Sequence, residues 1–397
     1  MNLKFFARCA FMLSITVGSS LAAGNGFLPI GSGRNLDLGG AGAALPLDAS
    51  STNTNPALAA RVSNSFYILA GPEIYKRSVD TRQATASNYT YKQRNRMTAA
   101  PAANIGYNYH FCQDWTFNVA TDRAYTGAHF ENSLYDQTVS GRDDRQDYYL
   151  VSAAPGIAWS PNSCQAYGVS VVFAESFFRS NGLTAASTPT TGNDRWDSAF
   201  GAGFKVGGLW DVSPCVTLGL AYTSPIWFEN FGKYRDLFNH AVNTPPIVDV
   251  GVVWHFNCNT LLSFDVKGIF WKDQKATGES VRRGGLNWKN QTIFALGLQH
   301  TQDCWTGRIG INYGKSPHTQ KDLYRSVLMP AEGKATLCGG LTYHYRPDLE
   351  LDIHFQHRFN DKLTENGKGS GGAAVRGTKL EGSSSYVAIG INWLFCR

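Results

Sequence analysis

The 397 residues are 43% hydrophobic and 17% charged, with 41 Gly, 23 Phe, 18 Tyr, 10 Trp and only 4 Met, a composition that suits strands and turns and excludes a helical bundle. Outside the N-terminus no run approaches the roughly 18–20 apolar residues of a spanning helix, which excludes a polytopic helical membrane protein. The net charge of +6 is spread in both signs along the chain, so no basic patch points to nucleic acid.

In chain order, Lys4 and Arg8, a mostly apolar run over 9–17 and the small-x-small site Ser20-Leu21-Ala22 predict an export signal over residues 1–22. Arg8 directly before Cys9 does not fit a lipoprotein signal, so Cys9 is expected to leave with the peptide. Its removal leaves 34 basic and 30 acidic residues, a net charge of +4. Residues 23–64 follow, rich in Gly, Ala, Ser and Asn and without strand-like alternation.

From residue 65 to 397 the sequence alternates with period two over segments of about ten residues, the pattern of a transmembrane β-barrel. Strands are expected near 65–76, 101–111, 114–128, 145–160, 165–179, 195–211, 215–230, 246–256, 260–272, 290–301, 304–314, 334–346, 349–359 and 383–395, an even number as single-chain bacterial barrels require. In the last, Val387, Ile389, Ile391, Trp393 and Phe395 share a face suited to lipid, opposite Tyr386, Ala388, Gly390 and Asn392. A soluble sandwich also alternates. A final face ending Trp393-x-Phe395 favours the outer membrane, although Cys396 and Arg397 extend past the last aromatic.

The connectors alternate between tight and long. Cys112-Gln113-Asp114, Asn162-Ser163-Cys164, Ser213-Pro214-Cys215, Asn257-Cys258-Asn259 and Arg346-Pro347-Asp348 read as periplasmic turns; 77–100, 129–144, 180–194, 273–289, 315–333 and 361–382 read as outer loops. A barrel this wide needs water or a plug in its lumen, and the segment 23–64 is the candidate hatch. The expected class is therefore all-β, an antiparallel barrel of about 14 strands plugged by an N-terminal hatch.

The wording of that segment resembles a known family. Gly31-Ser32-Gly33-Arg34-Asn35, Gly39-Gly40-Ala41-Gly42-Ala43, Asp48-Ala49-Ser50-Ser51 and Asn55-Pro56-Ala57 are similar to the hatch of the FadL family of outer-membrane hydrophobic-compound transporters, which includes the toluene-type channels. Leu218-Gly219-Leu220-Ala221-Tyr222-Thr223-Ser224-Pro225, Pro246-Ile247-Val248-Asp249-Val250-Gly251, Asp265, Trp271, Arg308-Ile309-Gly310 and Ser316-Pro317 follow in the family's order. The resemblance implies passive passage of hydrophobic molecules such as long-chain fatty acids or aromatic hydrocarbons. It further implies a hatch that gates at Asn55, Pro56 and Ala57 beside a kinked third strand, where substrate exits sideways into the outer-membrane lipid. Asp122, Arg123 and Gly127 interrupt the apolar outer face of that strand and are the lateral-opening candidates. The 180–194 and 236–245 loops read as short and polar where the family's fatty-acid transporters carry longer apolar segments, which argues against external capture of long acyl chains and leaves smaller or differently shaped hydrophobic substrates open.

Alternation points Asp249, Asp265, Lys267, Arg308, His344, Asp352, His354 and Arg358 into the lumen. Lys267 and Arg308 are candidates to bind a carboxylate substrate; the alternative is that these charges pair with one another and with the hatch backbone. No metal spacing, Gly-x-Ser-x-Gly elbow or phosphate loop occurs, so neither an enzyme nor a cofactor is expected. Cys112, Cys164, Cys215, Cys258, Cys304 and Cys396 gather at the tight-turn end and are disulfide candidates, with Cys338 inside a strand. An odd number of exported thiols permits links to other envelope proteins. Two other readings stand beside the transporter: a general diffusion porin and a disulfide-cross-linked structural envelope protein.

Overall fold

A computed structural model of the chain describes residues 33–87, 92–96, 99–135, 143–181, 194–235, 237–328 and 333–395. The export signal, Gly31, Ser32, Cys396 and most of the 180–194 loop lie outside the described residues.

Fourteen long strands form one closed antiparallel sheet. They are β1 (Ser65–Asp80), β2 (Ala99–His110), β3 (Trp115–Phe130), β4 (Asp144–Asn162), β5 (Gln165–Asn181), β6 (Asp197–Ser213) and β7 (Val216–Thr223). The second half comprises β8 (Ile247–Asn257), β9 (Thr260–Ile269), β10 (Gln291–Gln302), β11 (Trp305–Gly314), β12 (Ala335–Arg346), β13 (Leu349–Thr364) and β14 (Lys379–Leu394). Each pairs with its sequence neighbours, and β14 closes the ring on β1 with Ser65 opposite Leu394 and Ile68 opposite Ile391. Closure gives every strand a partner on both sides, the condition for a sheet to span a bilayer.

The period-two pattern becomes two surfaces. Leu218, Leu220, Phe264, Leu296, Ile309, Ile311, Ile353, Phe355 and Ile389 are exposed on the outside, where a soluble protein would place polar groups. Their inward neighbours Ser263, Asp265, Asn312, Thr342, Asp352 and His354 are buried. Aromatic residues cluster at the tight-turn end, with Trp115 against Trp159, Trp254 against Phe256 and Trp305 against Tyr343, an interfacial girdle.

Several boundaries differ from expectation. The strand expected over 215–230 stops at Thr223, because Pro225 lacks an N–H for the ladder and the Ser224 hydroxyl instead takes the Phe204 N–H. Only Trp227–Phe228 resumes pairing, with β6. The connector that follows is therefore longer than the 236–245 loop read from sequence, and it is not simply polar: Ile226, Phe228, Phe231, Tyr234, Phe238 and Val242 are buried in it, around a 3-10 turn at Gly232–Tyr234. Finally, β13 runs on to Thr364 and β14 starts at Lys379, shortening the loop expected over 361–382.

Residues 33–62 occupy the barrel interior. They form 3-10 turns at Gly33–Leu38, Ala49–Asn53 and Pro56–Ala60, packed against β1 to β6 and β10 to β13. Small inward residues let this backbone lie on the wall: a Cβ added at Gly106 would stand 2.3 Å from Ser50 N, and one at Gly168 would stand 2.4 Å from Ala57 N.

Candidate functional site

The interior segment is held by its own caps and by polar groups of the wall. Asp48 accepts from Ser50 N at 2.8 Å and Arg34 N at 2.8 Å, closing the turn that begins at Ala49. Burial pushes the Asp48 carboxyl up, against the opposing pull of Arg34. Asn55 caps Pro56–Ala60 by accepting from Ala57 N at 3.0 Å, and its amide donates to Ala43 O at 2.7 Å and Gly208 O at 3.2 Å. Pro56 at the first turn position supplies the helical φ without wasting a donor.

The wall answers round the circumference. Arg34 pairs with Asp352 at 2.9 Å and Glu350 at 2.7 Å. The His354 ring nitrogen meets Asp37 at 2.7 Å, and Asp265 accepts from Gly42 N and Ala43 N at 2.7 and 2.8 Å. Asn312 donates to Gly39 O at 2.8 Å, and Asn108 to Val62 O at 2.7 Å. The charges read from alternation thus largely face one another and this segment. Lys267 is paired with Asp249, and Arg308 donates to Gln299 and Thr342 and stands 3.7 Å from Asp37, so both substrate-binding candidates are engaged by the protein.

The ladder between β2 and β3 is incomplete. Its pairing runs from His110↔Thr116 to Gly106↔Ala120 and stops there, whereas β3 stays paired with β4 along its whole length. Asp122 and Arg123 lie just past the stop and are both buried, a break in the alternation. Side-chain bonds replace the ladder: Asn104 donates to Asp122 at 3.2 Å, Ile105 N to the Thr121 hydroxyl at 3.0 Å, and Arg123 to Pro101 O. Gly127 lies farther up β3, its carbonyl taken by Arg77.

Next to this interruption is a cavity of about 80 Å³, room for several water-sized groups. Asn53 and Thr54 of the interior segment form one side; Leu150, Val172, Ile226 and Ile269 form an apolar side; Asp122, Lys205, Asp249 and Lys267 add charge. Asn53 is fixed from two directions, donating to Thr121 O at 2.7 Å while Lys205 donates to its carbonyl at 2.7 Å. Above the cavity, Leu150, Val172, Ile226 and Ile269 continue into one apolar cluster with Phe178, Phe231, Phe238, Trp271 and Trp288. An apolar column thus descends from the long-loop end to the interior segment.

Asn55, Pro56 and Ala57 lie in that segment one turn beyond the cavity wall, and Asp122 and Lys267 line the cavity. Arg308, by contrast, sits with Gly307 and Ile309 at a shallow depression elsewhere. Sequence reading missed Lys205 and the aromatic residues at 228–238. Lys205 was accessible, since alternation sets it inward between Gly203 and Gly207; the aromatics were hidden by extending β7 through Pro225.

Cys112, Cys164, Cys215, Cys258 and Cys304 are exposed free thiols at tight turns, and Cys338 is buried. No cluster of His, Cys, Asp and Glu among the described residues has metal-holding geometry.

Comparison with known proteins agrees with the architecture. The P. putida toluene transporter TodX superposes with a TM-score of 0.69 at 12% identity, covering 92% of this chain and 99% of that one. The Ralstonia pickettii toluene transporter TbuX gives 0.66 at 15% identity, covering 92% and 98%. A Pseudomonas aeruginosa FadL homologue gives 0.66 at 14%, covering 93% and 99%. These identities speak for the fold. In sequence, the chain is 23% identical over 237 residues to a long-chain fatty acid transport protein of Escherichia coli O6:H1, a match that spans 51% of this chain and 50% of that protein. The profile described as outer membrane protein transport protein (OMPP1/FadL/TodX) matches residues 15–395, and the chain belongs to that family.

Proposed function

We propose that the protein passes small, largely uncharged hydrophobic compounds from the long-loop end to the membrane interior, with residues 33–62 acting as a hatch and the interruption between β2 and β3 as the sideways exit. The observation that carries this reading is the apolar column that ends on Asn53 and Thr54 beside the point where the ladder stops. A sideways exit is physically favoured. An apolar solute gains roughly 0.8 kcal/mol per methylene removed from water, and a straight route into the aqueous compartment would forfeit it.

The choice of uncharged compounds rests on the cations. Lys267 is committed to Asp249, Arg308 to Gln299 and Thr342, and Lys205 to Asn53, so a carboxylate substrate would have to displace protein partners. The toluene transporters among the structural relatives agree with this class, and the fatty-acid relative supplies the competing one. The interior segment bonded around the wall speaks against a general porin.

The test is uptake of labelled toluene and of labelled long-chain fatty acid by cells lacking their own outer-membrane transporter. These cells would express the protein or its Lys205→Met variant at equal surface levels. Toluene uptake above the empty-vector level, altered by the variant, is expected. Fatty-acid uptake alone would overturn the substrate class, and uptake of neither would overturn the transport reading.

A further inference from the structure

Six tight turns close one end of the barrel, and five carry one exposed cysteine each: Cys112, Cys164, Cys215, Cys258 and Cys304. The seven connectors at the opposite end carry none in their sequence. The thiols therefore address a single aqueous compartment, the one the short turns of outer-membrane barrels face. Neither packing nor the lumen explains them, since all five are exposed while Cys338 is buried.

The spacing decides what they can join. Successive tight turns are two strands apart, about 9.5 Å along the sheet at the usual strand separation. A disulfide needs Cα atoms within about 7 Å, so neighbouring turns do not bridge without backbone movement. A second copy alongside in the membrane fares no better. Trp115, Trp159, Trp254 and Trp305 project outward beside these turns, and face-to-face sheets stay about 10 Å apart. What can reach the thiols is a molecule approaching the rim from the water below.

We infer that this rim is a covalent docking surface for a water-soluble, cysteine-bearing protein of the same compartment, joined by thiol–disulfide exchange. The thiolate of a turn cysteine attacks one sulfur of a disulfide in the partner; that S–S bond breaks, a new S–S bond joins the two proteins, and the partner's other sulfur leaves as a thiolate that takes up the proton lost by the turn cysteine. Five sites round the circumference give the barrel the valency to be tethered from any side. The inference is independent of what the lumen transports.

Two measurements test it. Purified folded protein carrying Cys396→Ser and incubated with oxidised glutathione should gain up to five glutathione adducts by mass spectrometry, on the turn cysteines and not on Cys338; intrachain bridges in their place would overturn the spacing argument. In source cells quenched with N-ethylmaleimide, the non-reducing gel band should run well above the monomer, collapse on reduction, and vanish when all five turn cysteines are changed to Ser. Unheated-gel mobility checks that this variant is folded, and Cys338→Ser should leave the high band intact. A monomer-only band overturns the inference. So does a high band whose mass is a whole multiple of the barrel's with no other protein in it, since the partner is then a second copy.

Discussion

Asn55→Ala is the sharpest test of how the interior segment is held. The change removes the cap on Ala57 N, which typically costs about 1 kcal/mol, and two amide bonds, to Ala43 O and Gly208 O, each contributing about 0.5–1 kcal/mol net. A total of about 2–3 kcal/mol corresponds to roughly a 30- to 150-fold larger open population of the segment, at tenfold per 1.4 kcal/mol. The barrel should be untouched, because no strand pairing involves Asn55. Hydrogen–deuterium exchange over residues 49–62 should accelerate by that factor while strand amides stay protected, and single-channel recordings should show more frequent openings. Exchange over 49–62 within threefold of wild type, in a variant that has kept its strand protection, would refute the view that the Asn55 cap and amide bonds hold the segment.

Three further outcomes are expected. Gly168→Ala places a methyl 2.4 Å from Ala57 N and should cost about 1–3 kcal/mol by overpacking, read as raised ion leak through a planar bilayer; unchanged conductance would mean that the wall and not the segment gives way. Trp288, which meets Trp271 at 5.0 Å and donates to Ser326 at 2.9 Å, should on truncation to Ala cost the loop packing about 3–5 kcal/mol and open the 224–290 region to protease at the cell surface, with the barrel fragment intact. Burial holds the Glu365 carboxyl above the usual range despite the hydrogen bonds from Gly367 and Tyr324. The folded state therefore binds that proton more tightly than the unfolded chain. The stabilisation is complete below the ordinary glutamate range and is lost as pH rises through the folded value, so protection of amides 323–327, corrected for intrinsic exchange, should fall from acidic to neutral pH; a rise would contradict the sign.

Alternation was enough to reveal the barrel, since a side-chain period of two needs only neighbouring residues to be read. Leu351, Ile353 and Phe355 outward and Asp352, His354 and Gln356 inward follow from parity alone. The ring of turn cysteines is legible for the same reason: a two-residue turn is a local event. Element ends were less legible where local and distant forces competed. Trp227–Phe228 reads as a continuation of β7 until Ser224 and Pro225 divert the chain, and only its pairing with β6 reveals the fold-back.

The candidate site divides along the same line. The sequence by itself determined that Asp265, Lys267, Arg308 and His354 face inward, and it offered the small-residue segment 23–64 as a candidate plug for the lumen. Tertiary structure alone decided that Asp265 takes the Gly42 and Ala43 amides, that His354 takes Asp37, and that Lys205 holds Asn53 beside the interrupted ladder. Those partners are separated by 150 to more than 300 positions in the chain. Parity fixes which way a side chain points, but the distance to what it meets is set by the register and closure of fourteen strands, and no local pattern encodes that.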